Sequence, residues 1–121
     1  MNTYPLQFES ALGPQTIGVM VAASMLARMR GLLARPELRR GEGMLLRSCN
    51  MVHTVGMRYP IDVVFLGRDG SVLKISDAVG PRRARGHWRA HSVLELAAGE
   101  ASRCGIWQGM RLPIESIQYF K

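Results

Sequence analysis

The residues that could carry out chemistry concentrate between positions 49 and 62, in the segment CNMVHTVGMRYPID. Side chains alternate between the two faces of an extended chain, so one face is predicted to carry Cys49, Met51, His53 and Met57. A thiol, two thioethers and an imidazole are ligands that a soft metal such as Cu(I) could use. Such sites usually repeat their methionines, and cysteine and methionine are ordinary core residues. Core packing is the favoured interpretation, and neither a metal nor a cofactor is predicted.

A second signal is the aspartate at position 62, inside the apolar run Ile61–Leu66. Both faces of that strand look apolar, and a buried carboxylate must find donors or a charge partner because an unpaired buried charge is very unfavourable. Arg58 is the nearest candidate partner, and His53 is another. Asp62 is then either an internal strut that holds loops in place, or a site carboxylate that orients His53 or contacts a ligand.

Cys49, His53 and Asp62 also supply a nucleophile, a base and an orienting carboxylate of the kind used in acyl transfer. Positions 49 and 53 lie roughly 13 Å apart on a straight strand, too far for a thiol–imidazole hydrogen bond unless the chain bends sharply. The sequence contains no nucleophile elbow, phosphate-binding glycine loop or zinc-hydrolase helix. A Cys/His-dependent hydrolase or transferase stays an alternative, and a non-catalytic protein is favoured.

The basic residues, which give the chain a formal net charge of +7, cluster in two segments. Residues 28–47 and residues 80–91 each carry a net charge of +4, and the rest of the chain sums to −1. Trp88 lies among the four arginines of the second segment and could stack on a base. Pinning its loop to the domain is the more common use of a lone loop tryptophan. Nucleic-acid binding through both segments is therefore an alternative to arginines that are simply solvated.

The elements that must position these residues are mostly short strands. Alternating apolar positions and turn residues predict strands at 4–9, 16–22, 44–47, 61–66, 71–75, 91–96 and 112–119, and an extended segment at 49–57. One amphipathic helix is predicted at about 24–35, a short helix at 100–104 and a polar loop at 77–90. These elements predict a mainly β fold, an antiparallel sandwich or distorted barrel with the long helix packed on it. A mixed α+β sheet is the runner-up.

The length and composition are those of one domain covering residues 1–121, with 47% apolar residues. The least charged stretch contains an apolar run of only residues 17–27, which is too short to span a membrane. The N-terminus lacks the layout of a signal peptide, and the two cysteines, Cys49 and Cys104, form no disulfide framework. These features predict a cytoplasmic protein that does not contact a membrane.

Several stretches match a known family: RGLL at 30–33, GEGMLL at 41–46, CN at 49–50, VHT at 52–54, GMRYPIDVVFL at 56–66 and VLEL at 93–96, with Gly99 and Gly109. On these residues the chain resembles the bacterial and archaeal DUF192 proteins over nearly its whole length. The resemblance implies a compact, mostly β domain with a helix. It implies no activity, cofactor or catalytic residue, because none is established for the family.

The family hallmarks in this sequence are His53, Met57, Pro60 and Asp62. Two positions depart from the family pattern: Met51 replaces a frequent serine, and Met110 replaces a usual aspartate. The first departure weakens the soft-metal interpretation. The second implies either that the site differs here or that the aspartate of relatives is structural.

Together these observations predict a small, non-catalytic binding module. Its polar site is built by residues 49–62, with His53 and Asp62 as anchors, Arg58 as a charge partner, and Cys49 and Met57 beside them. The predicted ligand is a small acidic molecule or a protein segment, which the basic loops would suit.

Overall fold

The computed structural model describes residues 3–22 and 37–117, and its main feature is a six-stranded sheet. In chain order the strands are β1 Thr3–Ser10, β2 Gly13–Ala22, β3 Glu42–Arg47, β4 Met51–His53, β5 Ile61–Leu66, β6 Val72–Val79, β7 Ala84–Gly86 and β8 Ser92–Ala97. The large sheet has the order β1-β2-β3-β8-β5-β6, and β4 pairs with β7 in a separate small sheet. The strands do not close into a barrel. The fold is therefore mainly β, as predicted.

Strand pairing is antiparallel throughout the described residues except between β2 and β3, which run parallel. Parallel neighbours cannot be joined by a tight turn and need a crossover connection of a dozen or more residues. The chain between these two strands runs from residue 23 to residue 41 and is long enough for such a crossover. The predicted helix at 24–35 falls in this connection, outside the described residues.

The central strands are buried on both faces, and their side chains contribute to two separate apolar clusters. On β5, Val64 and Leu66 belong to the first cluster, while Val63 and Phe65 belong to the second. We call the first side the helix face, because it is covered by helix α1 (Glu100–Arg103), a short 3-10 helix (Ile114–Ser116) and the chain around them. We call the second side the β4 face, because Val52 of β4 packs into its cluster.

Two predicted elements differ in the structure. The segment predicted as a last strand at 112–119 forms no strand within 112–117; it contains the 3-10 helix Ile114–Ser116 instead. Leu112 and Ile114 do alternate, but the next buried residue is Ile117, three positions on, which suits a 3-10 turn. The predicted loop at 77–90 contains the end of β6 and the whole of β7. Neither helix in the described part of the chain is long and apolar enough to cross a membrane.

Candidate functional site

Asp62 lies on the helix face and is completely buried. Its cross-strand neighbour on β8 is Leu96, a member of the helix-face cluster. One carboxylate oxygen accepts the backbone N–H of Ala78 at 2.8 Å, and the other accepts the backbone N–H of Ala101 at 3.0 Å. Ala101 lies in the first turn of α1, where backbone N–H groups have no partner within the helix. These are the contacts expected of a strut that ties β5 to β6 and α1.

The other predicted site residues lie on the opposite side of the large sheet. Cys49 and Met57 are half-buried and pack against the β4-face cluster. His53 ends β4, and its Nδ1 atom is buried from solvent. Arg58 is exposed in the turn region before β5. The structure thus groups Cys49, His53 and Met57 around β4 and places Asp62 across the sheet from them.

Strand β4 pairs with β7, and this pairing brings the segment 49–62 and the basic segment 80–91 together. Met51 is opposite Gly86, Val52 is opposite Arg85, and His53 is opposite Ala84. Directly opposite residues of an antiparallel pair share a face. The outer face of the pair therefore carries Met51 and His53 from β4, and only Ala84 and Gly86 from β7. We call β4, β7 and the turns 54–57 and 87–90 the β4–β7 unit.

Thr54 connects the two strands of the β4–β7 unit. Its buried hydroxyl donates to the carbonyl of Gly80 at 2.7 Å and accepts the backbone N–H of Arg83 at 2.9 Å. Its backbone N–H donates to the carbonyl of Arg83 at 2.9 Å. The backbone of the arginine segment is therefore held at several points, although the Arg82 and Arg83 side chains are exposed.

Lys74 of β6 attaches β7 to the large sheet. Its ammonium group donates to the carbonyl of Gly86 at 3.1 Å and lies 5.5 Å from the centre of the Phe65 ring. A cation above an aromatic ring is attracted by the negative face of the ring. The lysine thus links the edge strand, the β4-face core and β7.

Trp88 is 82% exposed, so it does not pin its loop to the domain, contrary to the more common use considered from the sequence. The turn that carries it is nevertheless ordered by hydrogen bonds. Ala90 N–H donates to the His87 carbonyl at 3.0 Å, and Arg89 N–H donates to His87 Nδ1 at 3.2 Å. The Arg89 guanidinium lies 5.4 Å from the centre of the Trp88 ring.

Glu95 is a buried carboxylate that the sequence interpretation missed. It is completely buried on β8, opposite Met44 and Val63, both of which belong to the β4-face cluster. It therefore lies on the same side of the large sheet as the β4–β7 unit. The signal that singled out Asp62, a carboxylate within an apolar strand, is equally present in VLEL at 93–96.

The cysteines differ in their surroundings. The Cys49 thiol donates to the Met51 carbonyl at 3.1 Å. Burial raises the pKa of the Cys104 thiol, on the helix face, which favours its neutral form. Across residues 3–22 and 37–117, no three His, Cys, Asp or Glu side chains are placed to hold a metal ion together.

The mixed six-stranded sheet with a small β-sheet on one face and a short helix on the other defines the structural class of this domain. The chain belongs to the DUF192 family, described as "Uncharacterized ACR", which matches residues 7–114. The resemblance seen in the sequence is thereby confirmed. No curated protein matches the sequence significantly.

Two solved structures share the fold. A protein of unknown function from Novosphingobium aromaticivorans DSM 12444 has a TM-score of 0.77 and 24% identity, over 91% of this chain and 84% of its own. A protein from Sinorhizobium meliloti 1021, described as a "putative transcription regulator", has a TM-score of 0.77 and 24% identity, over 93% of this chain and 95% of its own. At this identity the similarity establishes a common fold.

Proposed function

We propose that this protein is a small, non-catalytic binding module that holds an acidic ligand on the outer face of the β4–β7 unit. The observation that carries the proposal is the pairing of β4 with β7. It places His53 on the same small sheet as the arginine-rich segment 80–91. The pairing adds the imidazole of His53 to a surface on which segment 80–91 supplies four arginines.

The charge of this surface supports an acidic ligand. Segment 80–91 contains four arginines and no acidic residue. Arg82, Arg83 and Arg89 are exposed, and a guanidinium can donate two parallel hydrogen bonds to a carboxylate or a phosphate. The arginine segment is held by Thr54, so less conformational entropy is lost on binding than for a free loop.

The shape of the outer face also supports a ligand site. Opposite Met51 and His53, β7 presents only Ala84 and Gly86. These small residues leave the half-buried imidazole of His53 uncovered by a large side chain from β7. His53 would contribute a polar anchor, and Cys49 and Met57, which pack against the β4-face cluster, would support the unit from the core side. Asp62 contributes indirectly, by holding the sheet on which the unit rests.

Backbone NMR spectra of the full chain during titration with citrate and with inorganic pyrophosphate test the proposal. We expect the changes in chemical shift to be concentrated at residues 51–54 and 82–89. R83A should weaken binding by roughly 5-fold, because one charge-assisted interaction is lost. The matched control is R68A, since Arg68 is also exposed but lies in the β5–β6 turn.

Three results would contradict the proposal. The first is that neither citrate nor pyrophosphate changes the chemical shifts of the β4–β7 unit. The second is equal weakening by R83A and R68A, which would indicate a response to overall charge. The third is release of a reaction product from a citrate, pyrophosphate or ester substrate, which would favour an enzyme.

A further inference from the structure

The exposed indole of Trp88 distinguishes this surface from a simple anion site. Trp88 is 82% exposed, whereas the other described tryptophan, Trp107, is 55% exposed. Leaving a large aromatic side chain in water forgoes the free energy of its burial. The hydrogen bonds of the 87–90 turn hold the backbone at Trp88, so the indole projects from an ordered turn.

Arg89 and Trp88 together form a stacking platform beside the cations. The Arg89 guanidinium lies over one face of the ring, 5.4 Å from its centre. Because the side chain is 82% exposed, the opposite ring face is open to solvent and can receive a second planar group. Aromatic side chains next to arginines bind nucleic acid in this way, with the base on the ring and the phosphates on the cations.

Arg82 adds a conformational observation at the same place. Its φ angle is +58°, in the left-handed region that residues with a Cβ rarely adopt. Its N–H donates to the Thr54 carbonyl at 3.4 Å, and its side chain is exposed. The fold therefore holds Arg82 in an unfavourable backbone conformation, and the hydrogen bond to Thr54 is made by the backbone of this arginine. Such conformations persist where the surroundings hold them, and they cluster at binding sites.

Resting on the proposed function, we infer that the acidic ligand is a single-stranded nucleic acid. One base would stack on Trp88, and neighbouring phosphates would bind Arg82, Arg83 and Arg89. A duplex fits less well, because its bases are already stacked. In addition, β4 and β7 have three residues each, too short for a β-ribbon that follows a groove.

Two described arginines of the other basic segment, residues 28–47, lie away from this surface. Arg39 and Arg40 lie on a turn next to α1, where Gly41 N–H donates to the Glu100 carboxylate at 2.7 Å. Gly43 pairs with Leu96 at one end of β8, while the arginine segment 80–91 leads into Ser92 at the other end. Six residues of strand separate the two ends, about 20 Å. The nucleic-acid surface therefore does not include Arg39 and Arg40, whereas Arg47, opposite Ser92, lies at the same end of β8 as the arginine segment.

Fluorescence anisotropy of the full chain with labelled oligothymidylate and oligouridylate of about 12 nucleotides tests this inference. W88A should weaken binding by roughly 10-fold through loss of stacking, and W88F should weaken it less. The matched control is W107A, which removes the exposed indole on the helix face and should leave the affinity unchanged. Three phosphate contacts predict that a plot of log affinity against log salt concentration has a slope of about −2. R83A removes one of these contacts, so the slope should become less steep by about 0.7.

The outcomes separate this inference from the proposed function. If citrate or pyrophosphate changes the chemical shifts of the β4–β7 unit but neither oligonucleotide binds, the anion site is supported and the nucleic-acid inference is overturned. Binding of W88A with the affinity of the unchanged protein also overturns it. So does tighter binding to duplex DNA, or binding only to vesicles of phosphatidylglycerol and phosphatidylcholine. Equal affinity for the two oligonucleotides supports recognition through base and phosphate, and preference for oligouridylate supports added recognition of the 2′-hydroxyl.

Discussion

The Asp62 carboxylate accepts the backbone N–H of Ala101 at 3.0 Å, across 39 residues of sequence. Its other oxygen accepts the N–H of Ala78, so one buried side chain joins the central strand β5 to β6 and to the first turn of α1. A carboxylate near the start of a helix is also favoured by the positive end of the helix dipole, weakly here because α1 has one turn. The interaction explains how a charged residue is accommodated in an otherwise apolar strand.

D62N should lower the free energy of unfolding by roughly 3 kcal/mol, because the amide keeps one acceptor oxygen and turns an N–H₂ group towards a backbone donor. Urea unfolding followed by tryptophan fluorescence measures the change. D77N is the control, since Asp77 is exposed on β6. Citrate affinity of the folded variant at low temperature should match that of the unchanged protein. A stable D62N variant that has lost citrate binding would assign Asp62 to the ligand site instead.

T54V should destabilise the protein by about 2 kcal/mol, because the Gly80 carbonyl and the Arg83 N–H both lose their hydrogen bond to the buried hydroxyl. Hydrogen exchange should accelerate most at the amides of residues 82–86, since these depend on the Thr54 connection. T54S keeps the hydroxyl and is the control. Uniform acceleration over the large sheet, with no excess in this segment, would show that Thr54 has no special role in the β4–β7 unit.

Glu100 predicts a pH dependence of stability. Hydrogen bonds from Arg103 at 2.6 and 2.7 Å are the main cause that lowers the pKa of the Glu100 carboxyl below its ordinary 4.5, and the Gly41 N–H contributes further. A lowered folded-state pKa gives stability that is complete above the unfolded pKa and is lost as the pH falls through the folded one. E100Q should therefore cost about 1–2 kcal/mol near neutral pH, and this difference should shrink below about pH 4.5.

Urea unfolding at several pH values measures the Glu100 contribution. E115Q is the matched control, because Glu115 also pairs with an arginine, Arg111, but both side chains are largely exposed. Exposed pairs contribute little, so E115Q should change stability much less at every pH. A difference between E100Q and the unchanged protein that grows on acidification would have the wrong sign and would reject this explanation.

G70A tests the packing of the β5–β6 turn against the C-terminal chain. A Cβ at Gly70 would overlap the Leu112 carbonyl oxygen, and the residue has a φ of +88°. Both effects oppose a side chain, so G70A should cost more than about 2 kcal/mol and lower the Tm measurably. G80A is the control, because a Cβ there meets nothing within 4 Å. Equal Tm values for the two variants would contradict the prediction.

The sequence predicts strands of the large sheet where a segment carries the apolar pattern that is typical of a strand. The apolar run at Ile61–Leu66 predicts β5 with its observed bounds, and the same run predicts that Asp62 is buried. A continuous apolar run of that length, followed by Gly67 and the Asp69-Gly70 pair, is typical of a buried strand that ends at a hairpin turn. The helix predicted at 100–104 is likewise observed at Glu100–Arg103.

The β4–β7 unit could not be predicted in the same way. β7 is the tripeptide Ala-Arg-Gly, which has no strand pattern of its own. Its partner β4 lies about 30 residues earlier in the chain, and the β5–β6 hairpin between them brings the two strands together. The side of the sheet on which His53 lies depends on the turn at 54–60 and not on side-chain alternation. The sequence therefore could not show that His53 and Asp62 are on opposite sides.

Met110, at the position where the family resemblance implies an aspartate, makes contacts that the sequence does not show. Met110 is buried, and its sulfur accepts the backbone N–H of Trp107 at 3.3 Å across the turn at Gly109. A carboxylate oxygen at this position could accept the same N–H. The position caps a turn on the helix face and lies away from the β4–β7 unit, which supports a structural role for it.

The position of β8 has a consequence for how the protein is made. β8 lies between β3 and β5, yet it follows both in the chain. During synthesis, β1, β2 and β3 leave the ribosome with one central edge unpaired, and the β5–β6 hairpin does the same. The two halves of the sheet can join only after residue 97 has emerged. Until then two apolar strand edges are open to wrong partners, so we expect nascent chains to need protection from aggregation late in translation.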